Sequence, residues 1–176
     1  MYCCKRAVWP VRDGTVDLET GVVGDAEIPE VRAQALFRDR FVGVVRSAHA
    51  LGQGEMTPAR YAGGRHIAVS RHGQNTDHEK GQIDDVLQLL GLERDMATSV
   101  GGFATALALA KASDLIATVP ERHTGNLRAG LHSFPLPIAV PEFTVSLLWH
   151  PRMQADPAHR WLRGCVREVC GDAFPR

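Results

Sequence analysis

Apolar positions along this chain switch between two periods. Nearly continuous β-forming runs occupy residues 35–46, 66–70, 115–119 and 143–149, the pattern of strands covered on both faces, and residues 96–100 read as a further short strand. Elsewhere apolar residues recur every three or four positions, as on one face of a helix. Ile83, Val86, Leu87 and Leu90 make one such stripe, closed by Gly91, a helix stop signal. Phe103, Leu107 and Ala110 make a second within 103–113, and Trp161, Leu162, Cys165, Val166 and Val169 a third within 157–169. Trp149 and Trp161 both fall in apolar periods and are expected in the core rather than on a ligand platform. A short strand is predicted over 16–24. Residues 131–140, with two prolines, read as an edge or extended segment.

Strands alternating with helices predict an α/β protein. The order of the elements also predicts two lobes, one from residues 1–46 with 123–176 and the other from residues 47–122. The chain would cross at Arg46 and return after Arg122. Two crossings make a hinge, with a small molecule enclosed between the lobes.

The stretch from Ser99 to Arg122 organises the rest. Two glycines, Gly101 and Gly102, separate a strand from a helix of small residues, and the next strand ends at Pro120. A helix start so preceded offers unpaired N–H groups and the positive end of the dipole, which suit a small anion without any lysine or arginine. The other reading is a Gly-Gly turn that only lets helix and strand pack closely. In open α/β sheets, ligands collect beyond the carboxyl ends of strands. Thr118 and Pro120 occupy one such end, and Ser70, Arg71 and His72 another. There the structural alternative is a turn capped by Ser70, with Arg71 a solvated charge.

Composition narrows the classes. The 176 residues carry equal numbers of acidic and basic side chains, giving zero formal net charge, so no whole-chain field draws nucleic acid or an anionic membrane. No apolar run reaches membrane-span length and the N-terminus lacks a signal-like core, so a cytoplasmic protein is expected. Cys3, Cys4, Cys165 and Cys170 are read as reduced thiols, and His66, His72 and His78 fit no compact zinc spacing. An enzyme reading rests on Ser70 with His72 and Asp77, or on Cys165 as a thiol nucleophile. Ser70 lies outside any Gly-x-Ser-x-Gly elbow, and neighbours in sequence rarely make a triad. No catalytic residue, metal or cofactor is expected.

The ordered runs LFRDRFVGVVRSAHAL, HIAVS, SVGGFATALALAKASDLIATVPER and FTVSLLWHPRMQADPAHRWLR, preceded by GTVDLETGV, resemble the effector-binding domain of LysR-type transcriptional regulators. The resemblance covers roughly residues 12–169. It implies a fold like type 2 periplasmic binding proteins, with two α/β lobes joined by two crossing segments and a small organic, anionic effector between them. By position it implies contacts from Ser70, Arg71, His72, Gly102, Phe103, Thr118 and Pro120. Arg71 would pair with a carboxylate, Gly102 would offer its N–H and Phe103 would shape the wall. His72 would sense pH or donate a hydrogen bond, or lie at the surface.

The chain departs from the family at several points. His49-Ala50-Leu51 stands where His-Pro-Leu is usual, and Glu19-Thr20 replaces an apolar pair. The first strand-helix-strand of the first lobe, about thirty residues or more, and the helix-turn-helix have no counterpart here. The implied partners are the effector and a second copy or full-length LysR-type subunits. DNA would be reached only through a helix-turn-helix absent from this chain, and no membrane is implied. The alternative on the same fold is a stand-alone solute binder.

Overall fold

The computed structural model describes residues 9–22, 30–70 and 81–172. In chain order the elements are helix α1 (Trp9–Asp13), strands β1 (Leu18–Val22), β2 (Arg32–Asp39) and β3 (Phe41–Arg46), helix α2 (Pro58–Ala62), strand β4 (Arg65–Val69), helix α3 (Gln82–Leu89), strand β5 (Asp95–Val100), helix α4 (Phe103–Lys111), strands β6 (Ile116–Pro120), β7 (Leu131–Pro135) and β8 (Phe143–Trp149), and helix α5 (Pro157–Asp172). Two compact units emerge, one from Met1–Asp39 with Phe143–Arg176 and one from Arg40–Glu142.

The first unit is an antiparallel sheet in the order β1-β8-β2. The central strand β8 buries Ser146 through Trp149, which explains the apolar residues that close its run. β2 departs from strict register between Ala35 and Phe37, a bulge of the kind that lets a strand bend. Helix α5 covers this sheet with an unexpected face. Its buried residues include His159 and Arg163, whereas Trp161 is 71% exposed and Leu162 and Val169 are exposed too. The expected core role of Trp161 is thereby overturned, while Trp149 is buried as predicted.

The reason lies in what Arg163 finds beneath it. Its guanidinium sits 4.5 Å over the Trp149 ring and donates to the Met153 and Gln154 carbonyls at 3.2 Å each. It also donates to Nδ1 of His159, whose Nε2–H donates to the Asp17 carbonyl at 3.0 Å. A flat cation stacked on an aromatic face and hydrogen-bonded through both terminal nitrogens is stable in a buried site, so the helix turns that side inward.

The second unit is a five-stranded mixed sheet in the order β5-β4-β6-β3-β7. Strands β4, β5 and β6 run parallel, and β3 is antiparallel to both β6 and β7. On one face Ala106, Leu107 and Ala110 of α4 pack against Val42, Val44, Ile67, Ala117 and Val119. On the other, Tyr61, Ala62, Ile83 and Leu87 of α2 and α3 pack with Val45, Ile116 and Phe134. Gly43 is required by close approach: a Cβ there would stand 2.3 Å from the Phe134 ring.

The run 35–46 is therefore two strands. Arg40 ends the first, its side chain paired with Glu121 at 2.6 Å and its carbonyl accepting the Glu121 N–H at 2.8 Å. This moves the division between units. Lobes bounded at 46/47 and 122/123 would place β3 and β7 with β8. Instead β3 pairs with β6 and β7, and the division falls at 39/40 and 142/143.

Candidate functional site

Neighbouring parallel strands set the register of the site. Ile67 of β4 lies opposite Ala117 of β6, so Ser70 and Pro120, each three residues further on, end level with one another. Strand alternation puts Ser70 on the same face as Thr118. The Ser70 N–H donates to the Val100 carbonyl at 2.9 Å, which ties this end of β4 to the end of β5. Gly101 and Gly102 follow at once and open α4. Ser70 and Pro120 thus stand at the carboxyl ends of β4 and β6, and Gly102 just beyond that of β5. Thr118, two residues before the end of β6, meets Tyr61 of α2 on the sheet face opposite the one α4 covers.

Among the described residues the Ser70 Oγ is buried without a hydrogen-bond partner, a costly state for a hydroxyl. Gly102 occupies the N-cap of α4 with extended backbone and no side-chain cap. Neither it nor Gly101 has a positive φ, and among the described residues a Cβ at either would meet nothing within 4 Å. Close packing of helix on strand therefore does not demand these glycines. They leave the first turn of α4 bare, where N–H groups have no intrahelical acceptor.

Phe103, half-buried, packs at the margin of the α4 core and meets the His123 ring edge to face at 5.9 Å. Pro120 is buried, and its carbonyl accepts both the N–H and the hydroxyl of buried Thr124. Arg71 and His72 lie outside the described residues, as does Asp77.

Thr118 leads to residues that sequence reasoning missed. Its Oγ1 is 2.8 Å from the Tyr61 hydroxyl, and Arg94 Nη1 donates to that same hydroxyl at 3.4 Å. Arg94 also forms a two-pronged pair with Asp84, Nε to Oδ1 at 2.8 Å and Nη2 to Oδ2 at 2.7 Å. Burial disfavours the Arg94 charge, but Asp84 more than offsets this and the pKa is raised. Burial pushes the Tyr61 phenol up as well, so it stays protonated at neutral pH. His66 donates from Nε2 to the Tyr61 carbonyl at 2.9 Å. Burial holds its pKa down at about 4, so its ring is neutral. Tyr61, Arg94 and Asp84 come from α2, the loop before β5 and α3, and no local spacing advertises them.

Nucleophilic chemistry lacks its partners among the described residues. An activated serine needs a base within about 3 Å, and Ser70 Oγ has no partner. Cys165 is half-buried on α5 in an open depression shared with Trp161 and Glu168. Among the described residues no group of three or more His, Cys, Asp or Glu side chains could hold a metal ion. No described helix is long and apolar enough to cross a membrane.

Parallel strand ends, a bare helix start and half-buried hydroxyls are the features of an α/β ligand-binding domain. The chain belongs to the LysR substrate binding domain family, whose model matches residues 4–171. It is 35% identical over 165 residues to the HTH-type transcriptional regulator SyrM of Rhizobium meliloti, covering 93% of this chain and 49% of that protein. Among solved structures it matches the probable transcriptional regulator PA0477 of Pseudomonas aeruginosa with a TM-score of 0.72 at 30% identity, over 89% of this chain and 51% of that one. The effector binding domain of QuiR in complex with shikimate shares the fold, with a TM-score of 0.71 at 14% identity over 96% and 78% of the two chains. This chain spans about half the length of the curated relatives it matches. The expected fold, of the type 2 periplasmic-binding-protein kind, is that of these neighbours.

Proposed function

We propose that the chain is an effector-binding regulatory domain which takes a small organic anion at the carboxyl ends of β4, β5 and β6. Gly102 offers its backbone N–H at the start of α4, Ser70 and Thr118 offer hydroxyls, and Phe103 and Pro120 line the apolar side. Arg71 supplies the countercharge and His72 a hydrogen bond or a pH response. Binding alters the balance between conformers, and that change passes to partner subunits. DNA occupancy follows through a helix-turn-helix outside this chain. The role is binding without turnover, in the cytoplasm. The domain associates with itself or with longer LysR-type subunits.

The observation that carries this reading is the pairing of an unpartnered, buried Ser70 hydroxyl with a helix start whose glycines packing does not require. A buried hydroxyl left open is destabilising, and a ligand that bonds it removes the cost. The shikimate bound by QuiR lends support to a small carboxylate as the ligand class. The test is calorimetric titration of the chain with shikimate and benzoate, repeated for Gly102→Val, which fills the open space. Micromolar to millimolar binding that the substitution weakens at least tenfold supports the proposal, and equal binding by both proteins refutes it.

A further inference from the structure

We propose that Tyr61 sets the hydrogen-bond polarity of Thr118, making it a donor and selecting a ligand that presents an acceptor oxygen there. The inference rests on the reading of Thr118 as an effector contact given above. It follows from counting protons in a closed chain of groups.

Arg94 has N–H donors and no acceptor. Its Nε and Nη2 are committed to Asp84, and Nη1 points at the Tyr61 oxygen. That phenol carries one proton, which a guanidinium cannot accept. Among the described residues the other polar side chain within reach is Thr118, at 2.8 Å. Tyr61 is fully buried, so bulk water does not compete for its proton. The proton therefore lies on the line to Thr118 Oγ1, and Thr118 accepts.

Having accepted from Tyr61, Thr118 keeps its own hydroxyl proton free. Thr118 is only half-buried, on the same sheet face as Ser70, so that proton is available to a ligand. The opposite direction would aim the Tyr61 proton at a buried cation and leave it unbonded, the costly arrangement in a dry site. Donation thus runs from Arg94 to the half-buried Asp84 carboxylate on one side and outward through Tyr61 to Thr118 on the other. The outward arm ends in a donor suited to a carboxylate or carbonyl oxygen and poorly suited to an ammonium group. Tyr61 is a positioning residue, acting through Thr118.

The chain as it stands, isotope-labelled, allows a direct test by proton NMR at low temperature. The Tyr61 hydroxyl proton should appear as a slowly exchanging resonance with a nuclear Overhauser contact to the Thr118 methyl, and should vanish in Tyr61→Phe. A Tyr61 hydroxyl exchanging as fast as free tyrosine, or a Thr118 hydroxyl proton seen against the Tyr61 ring, overturns the proposal. A ligand arm separates this from the site itself. Titration with benzoate should show Tyr61→Phe weakening binding about two- to tenfold, the range of one hydrogen bond, while benzylammonium binding is not weakened. Equal loss for both probes, or no loss for benzoate that Thr118→Val does weaken, overturns the polarity. If the wild-type proton is found as described and neither benzoate nor shikimate binds, the polarity stands and the effector-site reading is what fails.

Discussion

Ser70 carries opposite demands from folding and from binding. Its buried hydroxyl has no partner among the described residues, so Ser70→Ala should leave stability unchanged or raise it by about 1 kcal/mol, while weakening binding of a small carboxylate about tenfold. Chemical denaturation alongside calorimetry checks both halves, and a large loss of stability would show that the hydroxyl has a structural bond. His66 gives a pH signature of its own. Its folded pKa is near 4 against an ordinary 6.5, so the unfolded chain binds more protons between those values. Stability should therefore be full above about pH 6.5 and fall as pH drops towards 4. The total loss is on the order of 3 kcal/mol. His66→Phe should flatten that slope in urea unfolding curves taken from pH 4 to 7.

At the level of elements, α5 and β3 show how packing overrode pattern. The apolar period over 157–169 pointed Trp161 inward, yet the sheet below offers the Trp149 face, two carbonyls and His159 to a cation. A stripe of apolar letters cannot show what the opposing surface holds, and so Arg163 took the buried position. Arg163→Ala should cost about 2–4 kcal/mol, since it strips stacking and leaves acceptors unpaired. Trp161→Ala should cost less than about 0.5 kcal/mol, as befits an exposed side chain. Thermal unfolding of the two variants reads the contrast, and equal losses would contradict it. In β3, Gly43→Ala drives a methyl into the Phe134 ring and should cost about 1–3 kcal/mol. Retained stability there would mean that Phe134 moves aside freely.

Across the whole molecule, what was legible depended on sequence distance. The parallel strands β4 and β6 could be read because they are short apolar runs, and the Gly101-Gly102 start of α4 announces itself locally, whereas nothing local placed β3 and β7 in the same sheet. The division between units could not be read, because one residue, Arg40, separates strands that belong to different sheets. Nor could the polar chain behind Thr118, whose members Tyr61, Asp84 and Arg94 meet only through folding. The family assignment accounts for the shared frame, while the polarity of the candidate site comes from those distant partners. The central claim is that a small anion seats at the ends of β4, β5 and β6. Amide chemical-shift mapping during a shikimate titration tests it most directly. The account predicts that the largest movements fall on Ser70, Gly102, Phe103 and Thr118; movements confined to α5 around Trp161 and Cys165, with those four unmoved, would contradict it.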